Sequence, residues 1–428
     1  MKVCVYTLGC RLNQCESEAI ADSFSRNGHE VVDARRGADL YIVNTCTVTA
    51  KAEQKARRMI RLFSTEGQAV VVTGCYAQMA QAELEELGEN IVVVPLVKKA
   101  GLLGLCAHID ETTNAGMDLL DAVRLFAEPE TSVFDYAASS FSYHSRAYLK
   151  VQDGCDNECG YCRVHIARGP STSLGRDEVV ARALQLEEEG FNEIVLTGVN
   201  LTMYDHEGEG LGGMMLALIP RLKDTTRLRL SSMEPDHIDE RLIEACSSHK
   251  VHPHFHIPLQ SASDKVLERS SRKYSASHLE WVIENLRKVK DDPFIACDVI
   301  AGLPAEGEEE FRQTYDFLKD TGFAALHVFP FSPRPDTALY KARDKVSERV
   351  RDERAASLRQ LSESLHSAYV DRQVGRRQEV LLETRKGGLW HGTSGNYLKL
   401  AVSGAPAFSS RGQIVSGIIT AKDMLSVC

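Results

Sequence analysis

Three cysteines fall within eight residues of one another in the run Gly154-Cys155-Asp156-Asn157-Glu158-Cys159-Gly160-Tyr161-Cys162. The loop follows the apolar run Tyr148-Leu149-Lys150-Val151, so it starts where a strand ends and can turn three thiols toward one point. A cubane iron–sulfur cluster has four irons held by thiolates. Three thiolates leave one iron open, the arrangement that separates catalytic metal sites from closed structural ones. The next cysteine along the chain is Cys246. A zinc site, a disulfide and chance clustering are the rival readings. A structural zinc wants four ligands at paired spacing, and His165 alone is near enough in sequence to complete a set.

The rest of the composition bounds what surrounds this loop. At 428 residues, 43% hydrophobic and 26% charged, the chain reads as an ordinary globular protein of two or three domains. No apolar run approaches the ~20 residues a membrane span needs. Met1-Lys2-Val3-Cys4-Val5 leads straight into a strand pattern without a signal-peptide core, so a cytoplasmic location without membrane partners is expected. Twelve cysteines are then expected to stay reduced. Six belong to two constellations, and Cys4, Cys15, Cys106, Cys246, Cys297 and Cys428 read as core or incidental thiols.

A net charge of −10 argues against a surface that binds nucleic acid all over. Local charge differs. Lys51, Lys55, Arg57, Arg58 and Arg61 crowd one predicted helix, and Arg372, Arg376, Arg377, Arg385 and Lys386 crowd the start of the C-terminal segment. Each patch reads either as a solvated face or as a phosphate-binding surface.

Up to about residue 100 one pattern repeats: Val3-Cys4-Val5-Tyr6-Thr7-Leu8, Leu40-Tyr41-Ile42-Val43, Val70-Val71-Val72 and Ile91-Val92-Val93-Val94 are short β-branched runs between helical stretches, as in a parallel α/β sheet. The first three runs end in loops carrying Cys10, Cys46 and Cys75, which lie 36 and 29 residues apart. Strands of a parallel sheet end at one edge, where such folds bind ligands. A second three-thiolate site is therefore expected there, against the reading of three separate small residues in tight turns. Residues 101–145 show little periodicity, and Glu111–Gly116 and Ala137–Ser140 read as loop or linker.

From Tyr148, strands expected at 148–152, Glu193–Thr197, Arg227–Leu230, His254–Ile257, Ile295–Ile300 and Leu326–Phe329 alternate with helical spacing at Asp177–Glu189, Met214–Leu222, Ile238–Ser247, Ser277–Lys290 and Glu308–Asp320. Six β/α units suggest a partial or full barrel with its active face at the C-terminal strand ends. Gly198-Val199-Asn200, Ser231-Ser232-Met233-Glu234-Pro235, Pro258-Leu259-Gln260-Ser261 and Ala301-Gly302-Leu303-Pro304 fall at those ends, where a ligand across the mouth would meet them; singly, each also reads as a turn. A charged helix over about 347–373 then leads to short strands with glycine turns, a small β-barrel. The expected domains are 1–116, a linker over 117–145, a barrel over 146–345, a connecting helix over 346–372 and the small barrel over 373–428.

With Cys155-x-x-x-Cys159-x-x-Cys162 followed by Ala167-Arg168-Gly169, the chain resembles the radical S-adenosylmethionine methylthiotransferases. Thr7-Leu8-Gly9-Cys10-Arg11-Leu12-Asn13-Gln14, Asn44-Thr45-Cys46-Thr47-Val48-Thr49 and Thr73-Gly74-Cys75-Tyr76-Ala77-Gln78 are similar to the family's N-terminal domain, and 373–428 to its terminal TRAM domain. Gly-Cys-Arg-Leu-Asn and the Thr-Val-Thr after Cys46 are most similar to the branch that modifies N6-threonylcarbamoyladenosine 37 of tRNA. Other branches act on isopentenyladenosine 37 or on an aspartate of a ribosomal protein.

The resemblance implies an α/β chain with three parts: a parallel sheet domain, a partial (β/α)6 radical-SAM barrel and a TRAM-like barrel. It implies two 4Fe–4S clusters, one on Cys155, Cys159 and Cys162 that binds S-adenosylmethionine and cleaves it to a 5′-deoxyadenosyl radical, the other on Cys10, Cys46 and Cys75 holding the sulfur to be inserted. Gly198, Asn200, Glu234 and Gln260 would meet S-adenosylmethionine. The implied partners are the tRNA anticodon stem-loop and a reductase or flavodoxin-like electron donor. An unactivated C–H bond has no acidic proton for a general base, so such chemistry belongs to the cofactor. An iron–sulfur electron carrier or a plain RNA-binding protein is the reading from outside this class.

The chain departs from the family at three places: Val164-His165 replaces Ile-Pro, Ala262 replaces the glycine of Gln-Ser-Gly-Ser, and Asp336 replaces a glycine before Thr337.

Overall fold

The computed structural model describes residues 1–34, 37–65, 67–127, 129, 131–136 and 145–427. The chain divides into two compact units, one of residues 1–143, 153–156 and 162–172, the other of 144–152, 157–161 and 173–428. The expected linker segment Ala137–Ser140 and Cys428 lie outside the described residues.

In the first unit five parallel strands stand in the order β2-β1-β3-β4-β5: β1 (Lys2–Thr7), β2 (Glu30–Val31), β3 (Leu40–Thr45), β4 (Ala69–Gly74) and β5 (Ile91–Val93). Every residue of β3 and β4 is buried, because alternate side chains enter two different cores. Tyr41, Val43, Val70 and Val72 pack with Ala56, Ile60 and Phe63 of α2 (Ala50–Ser64). Leu40, Ile42 and Val71 pack with Ile20 and Phe24 of α1 (Arg11–Arg26). A strand covered on both sides has no polar face, which is why these runs are continuously apolar.

The stretch expected to be loop over Glu111–Gly116 is instead largely helical. Leu105–Asn114 and Leu119–Arg124 are helices that bury Leu105, Cys106, Ile109, Ala122 and Val123 in the second core. Asp118 starts the latter helix by accepting from the Leu120 N–H at 2.8 Å. Their helical period is hidden because Leu96–Gly104 before them is a 3-10 run. The two-residue β2 carries no pattern of its own and is held by pairing to Lys2 and Val3.

In the second unit six parallel strands follow one another: β6 (Ala147–Lys150), β7 (Glu193–Thr197), β8 (Arg227–Leu230), β9 (His254–Gln260), β10 (Phe294–Ala301) and β11 (Ala325–Pro330). They form two three-stranded sheets, joined by bridges at Leu228–Val251 and Ser232–His256. Helices between them include Arg176–Glu188, Leu211–Leu218, Glu240–Ser247, Ala276–Val289 and Glu308–Thr321, so the alternation expected from sequence is present. The long helix Glu348–Gln373 leads to a closed antiparallel and parallel barrel of five strands, Arg377–Lys386, Leu389–Ser394, Lys399–Ser403, Ile414–Ala421 and Met424–Val427. Between the second and third of these strands the chain turns at Gly395 and Asn396, with Tyr397 at φ 66°. No described helix is long and apolar enough to cross a membrane.

Candidate active site

Parallel pairing places the three N-terminal cysteine loops side by side. Thr7 lies opposite Asn44 and Thr45 opposite Gly74, so β1, β3 and β4 release Cys10, Cys46 and Cys75 at one sheet edge. Gly9 sits there at φ 106°, and a Cβ on it would come 2.7 Å from the Cys46 Cβ. Gly74 sits at φ 99° with Thr45 O 2.4 Å from where its Cβ would be. Both positions require glycine for backbone hand and for room. Burial pushes the Cys46 thiol up to about 12, and the nearby Cys10 and Cys75 thiols add to this. The Cys10, Cys46 and Cys75 thiols thus lie near enough to act on one another.

Beneath this edge lies a buried ionic network that sequence reading did not anticipate. Arg168, on the helix Val164–Arg168, donates to Glu16 Oε1 at 3.1 Å, to both oxygens of Asp153 at 3.0 Å and to Asn13 Oδ1 at 2.9 Å. The other Glu16 oxygen takes the Lys99 ammonium, which also donates to Asn44 Oδ1 at 2.8 Å. Asn13 donates to Leu8 O and Thr45 O, tying the first two cysteine loops together. The Arg168 guanidinium draws the Cys46 thiol downward, against burial. Arg163 is similarly paired, with Glu53 Oε1 at 3.1 Å.

Of the loop cysteines, Cys155 and Cys162 belong to the first unit and Cys159 to the second. The Cys155 N–H donates to Gly169 O, and Gly154, at φ 72°, lies so close to Pro170 O that any Cβ would collide with it. The Val164 N–H donates to Cys162 Sγ at 3.3 Å. His165 Nδ1 is buried without a hydrogen-bond partner among the described residues.

Around Cys159 the second unit is organised by Arg272. Its guanidinium donates to Cys159 Sγ at 3.1 Å, Tyr161 Oη at 3.2 Å and Pro258 O at 3.0 Å, and pairs with Glu234. Glu234 is thus held in a buried ion pair. The Thr202 hydroxyl hydrogen-bonds with Asn200 Oδ1 and donates to Glu234 O, which brings Asn200 and Glu234 together. The Asn200 N–H donates to Gln152 Oε1, the same oxygen that would lie 2.7 Å from a Cβ on Gly198. Gln260 ends β9 at φ 63°, where the strand register shifts.

Two of the sequence departures have a structural account. Asp336 stands at φ 67°, so a residue that tolerates the left-handed region occupies the glycine position. Ala262 is buried, has no left-handed backbone and donates its N–H to Thr314 Oγ1 at 3.1 Å.

The donor set fits iron–sulfur ligation: no disulfide joins the described cysteines, and thiolate is the usual ligand of such clusters. At the strand ends Thr197 Oγ1 and Ser231 Oγ are buried without partners among the described residues. Buried hydroxyls left so carry a cost that a polar ligand removes. Sequence reading left Thr197 as a strand residue and passed over Arg272, Glu16 and Lys99, whose partners are distant in the chain.

Residues 2–95 match the family model described as uncharacterized protein family UPF0004, and 149–318 match the radical SAM superfamily. The fold is shared with the radical S-adenosylmethionine methyltransferase TsrM from Kitasatospora setae, at 15% identity and a TM-score of 0.56, over 79% of this chain and 77% of that one. The chain belongs to the radical S-adenosylmethionine methylthiotransferases, whose superfamily chemistry uses S-adenosylmethionine and a 4Fe–4S cluster. It is similar to the threonylcarbamoyladenosine tRNA methylthiotransferase MtaB of Treponema pallidum (strain Nichols), 37% identical over 89% of this chain and 90% of that protein. It is also similar to MtaB of Bacillus subtilis (strain 168), 34% identical over 94% and 90%. The tRNA-2-methylthio-N(6)-dimethylallyladenosine synthase of Endomicrobium trichonymphae is 30% identical over 94% of each chain.

Proposed function

We propose that this chain inserts a methylthio group at C2 of N6-threonylcarbamoyladenosine 37 in tRNA. The observation that carries the reading is its similarity, along nearly its full length, to proteins named for that nucleoside. In this reading Cys155, Cys159 and Cys162 hold the cluster that binds S-adenosylmethionine, and Cys10, Cys46 and Cys75 hold a second 4Fe–4S cluster. Together the bound groups supply the radical that activates the C–H bond and the sulfur that replaces the hydrogen.

The chain's own residues bind, orient and exclude water. Arg272 keeps a fixed positive charge against Cys159 and Glu234. Gly198 lets the Gln152 side chain close against the strand end, and Thr197, Asn200, Ser231, Glu234 and Gln260 would offer S-adenosylmethionine polar groups there. Arg168 and Lys99 are balanced by Glu16 and Asp153, and within that network the Arg168 guanidinium draws the Cys46 thiol down against burial.

Lys51, Lys55, Arg58 and Arg61 are exposed on α2 and free to meet RNA phosphates. Arg57 is occupied with Tyr76 and Glu83, and the C-terminal Arg372 and Arg376 with Asp292 and Asp291. The domains in this scheme are those expected from the sequence, and the electron donor is a reductase or flavodoxin-like protein. The second reading, methylthiolation of isopentenyladenosine 37, draws on the Endomicrobium relative.

Mass spectrometry of tRNA nucleosides from a deletion strain, with and without the gene restored, tests this. Loss and recovery of 2-methylthio-N6-threonylcarbamoyladenosine is the expected result. Unchanged tRNA nucleosides would overturn it and direct the search to a methylthiolated aspartate of a ribosomal protein.

A further inference from the structure

A cluster of polar side chains lies on the second unit's strands, apart from the cysteine loop and its ligands. Side chains alternate along a strand, so residues two apart share a face. On β9, β10 and β11 one face carries Phe255, Ile257, Cys297, Val299 and Leu326, all buried. The other carries His254, His256, Phe294, Asp298, Ile300, His327 and Phe329.

At its N-terminal end this second face is closed. His254 and Phe294 stack on one another, and the small barrel's Tyr397 and the long helix's Tyr369 pack against them. Toward the C-terminal ends the face opens: His327 is 53% exposed and Phe329 40%. The layer between is polar. His256 Nε2 and His327 Nδ1 converge on Asp298 Oδ1 at 2.9 and 3.3 Å, and His256 Nδ1 meets Ser232 Oγ at 2.8 Å. Both ring nitrogens of His256 are thereby used. His327 spends Nδ1 on Asp298, and Nε2 of its half-exposed side chain makes no hydrogen bond to a described residue.

A ligand entering from the strand ends would pass the apolar side chains of Ile300 and Phe329 before reaching a polar floor. Two imidazoles share one carboxylate there, so the floor offers ring N–H groups to a ligand. The substrate of the proposed reaction has the matching shape of chemistry: a flat purine whose N6 substituent ends in a carboxylate and a hydroxyl. We propose that His327, positioned by Asp298 beside His256, is the residue that recognises the threonyl carboxylate and hydroxyl of the substrate nucleoside. This rests on the assignment of threonylcarbamoyladenosine as substrate and adds to it the residue that reads the substituent.

The test uses the reconstituted full-length enzyme and two anticodon stem-loop RNAs, one with N6-threonylcarbamoyladenosine and one with N6-isopentenyladenosine at the target position. His327→Phe is expected to lower kcat/KM on the first RNA by about 10- to 100-fold, the effect of one charged hydrogen bond, mostly through KM. It is expected to lower it far less on the second, so the preference between the two shrinks. His327→Lys, which restores an N–H donor there, is expected to retain most of the preference.

Equal losses on both RNAs, or an unchanged preference, would overturn the inference. So would loss from the variant of a bound divalent metal beyond its iron, which would make the trio a metal site. If the unmodified enzyme itself ignored the threonylcarbamoyl RNA and acted on the isopentenyl one, the substrate assignment would fall before the variants were examined.

Discussion

The Arg272 guanidinium lies 3.1 Å from the sulfur of Cys159, a residue 113 positions earlier in the chain, and the same group neutralises Glu234. Replacing Arg272 with Met removes one partner of a buried ion pair and the donor to the sulfur. A loss of about 3–5 kcal/mol in stability is expected from the unpaired carboxylate. Arg272→Met with Glu234→Gln should recover part of it. Urea unfolding of the three variants checks this, and a double variant no more stable than the single one would refute the pairing.

Glu16 joins Arg168 and Lys99 inside the N-terminal unit. Glu16→Ala removes the carboxylate that Lys99 pairs with and one of the two that Arg168 pairs with, so a comparable loss of about 3–5 kcal/mol is expected. A change below about 1 kcal/mol in denaturant unfolding would show that the network relaxes or admits water.

Ligand removal separates the two cysteine triplets. Replacing Cys10, Cys46 and Cys75 together with Ala should halve bound iron and sulfide while S-adenosylmethionine cleavage to 5′-deoxyadenosine persists and methylthiolation stops. Replacing Cys155, Cys159 and Cys162 should halve the iron too but abolish cleavage. Full iron content in either triple variant, measured by colorimetric assay after anaerobic reconstitution, would count against two separate clusters.

Glu306 gives a pH prediction. Burial lifts its carboxyl to about 7, although the Gly302 N–H and Arg354 pull it down. The folded form then holds its proton more tightly than the unfolded chain does. Stability from this group is full below the ordinary value of 4.5 and falls as pH rises toward 7. The total is up to about 3 kcal/mol. Urea midpoints at pH 5 and pH 8 should differ less in Glu306→Gln than in the unmodified protein; equal differences would disprove the assignment.

The strands and the cysteines that end them were legible because both signals are local. β-branched runs such as Val70-Val71-Val72 declare a buried strand, and Gly-Cys after the run marks its end. Parallel pairing then follows from the alternation with helices, and with it the meeting of Cys10, Cys46 and Cys75. The spacing of Cys155, Cys159 and Cys162 needed no fold at all. Boundaries were less secure where a 3-10 run precedes a helix, as before Leu105.

Tertiary structure alone decided what surrounds those sulfurs. Glu16 sits on a helix whose pattern gives no sign that it will be buried, and its partner Arg168 is 152 residues away. Whether a charged side chain is solvated or paired depends on what the fold brings against it, and no local period encodes that. Asp298 and His327 likewise read as polar residues within strands. Only the register of β10 and β11, with β9 beside them, puts two imidazoles on one carboxylate.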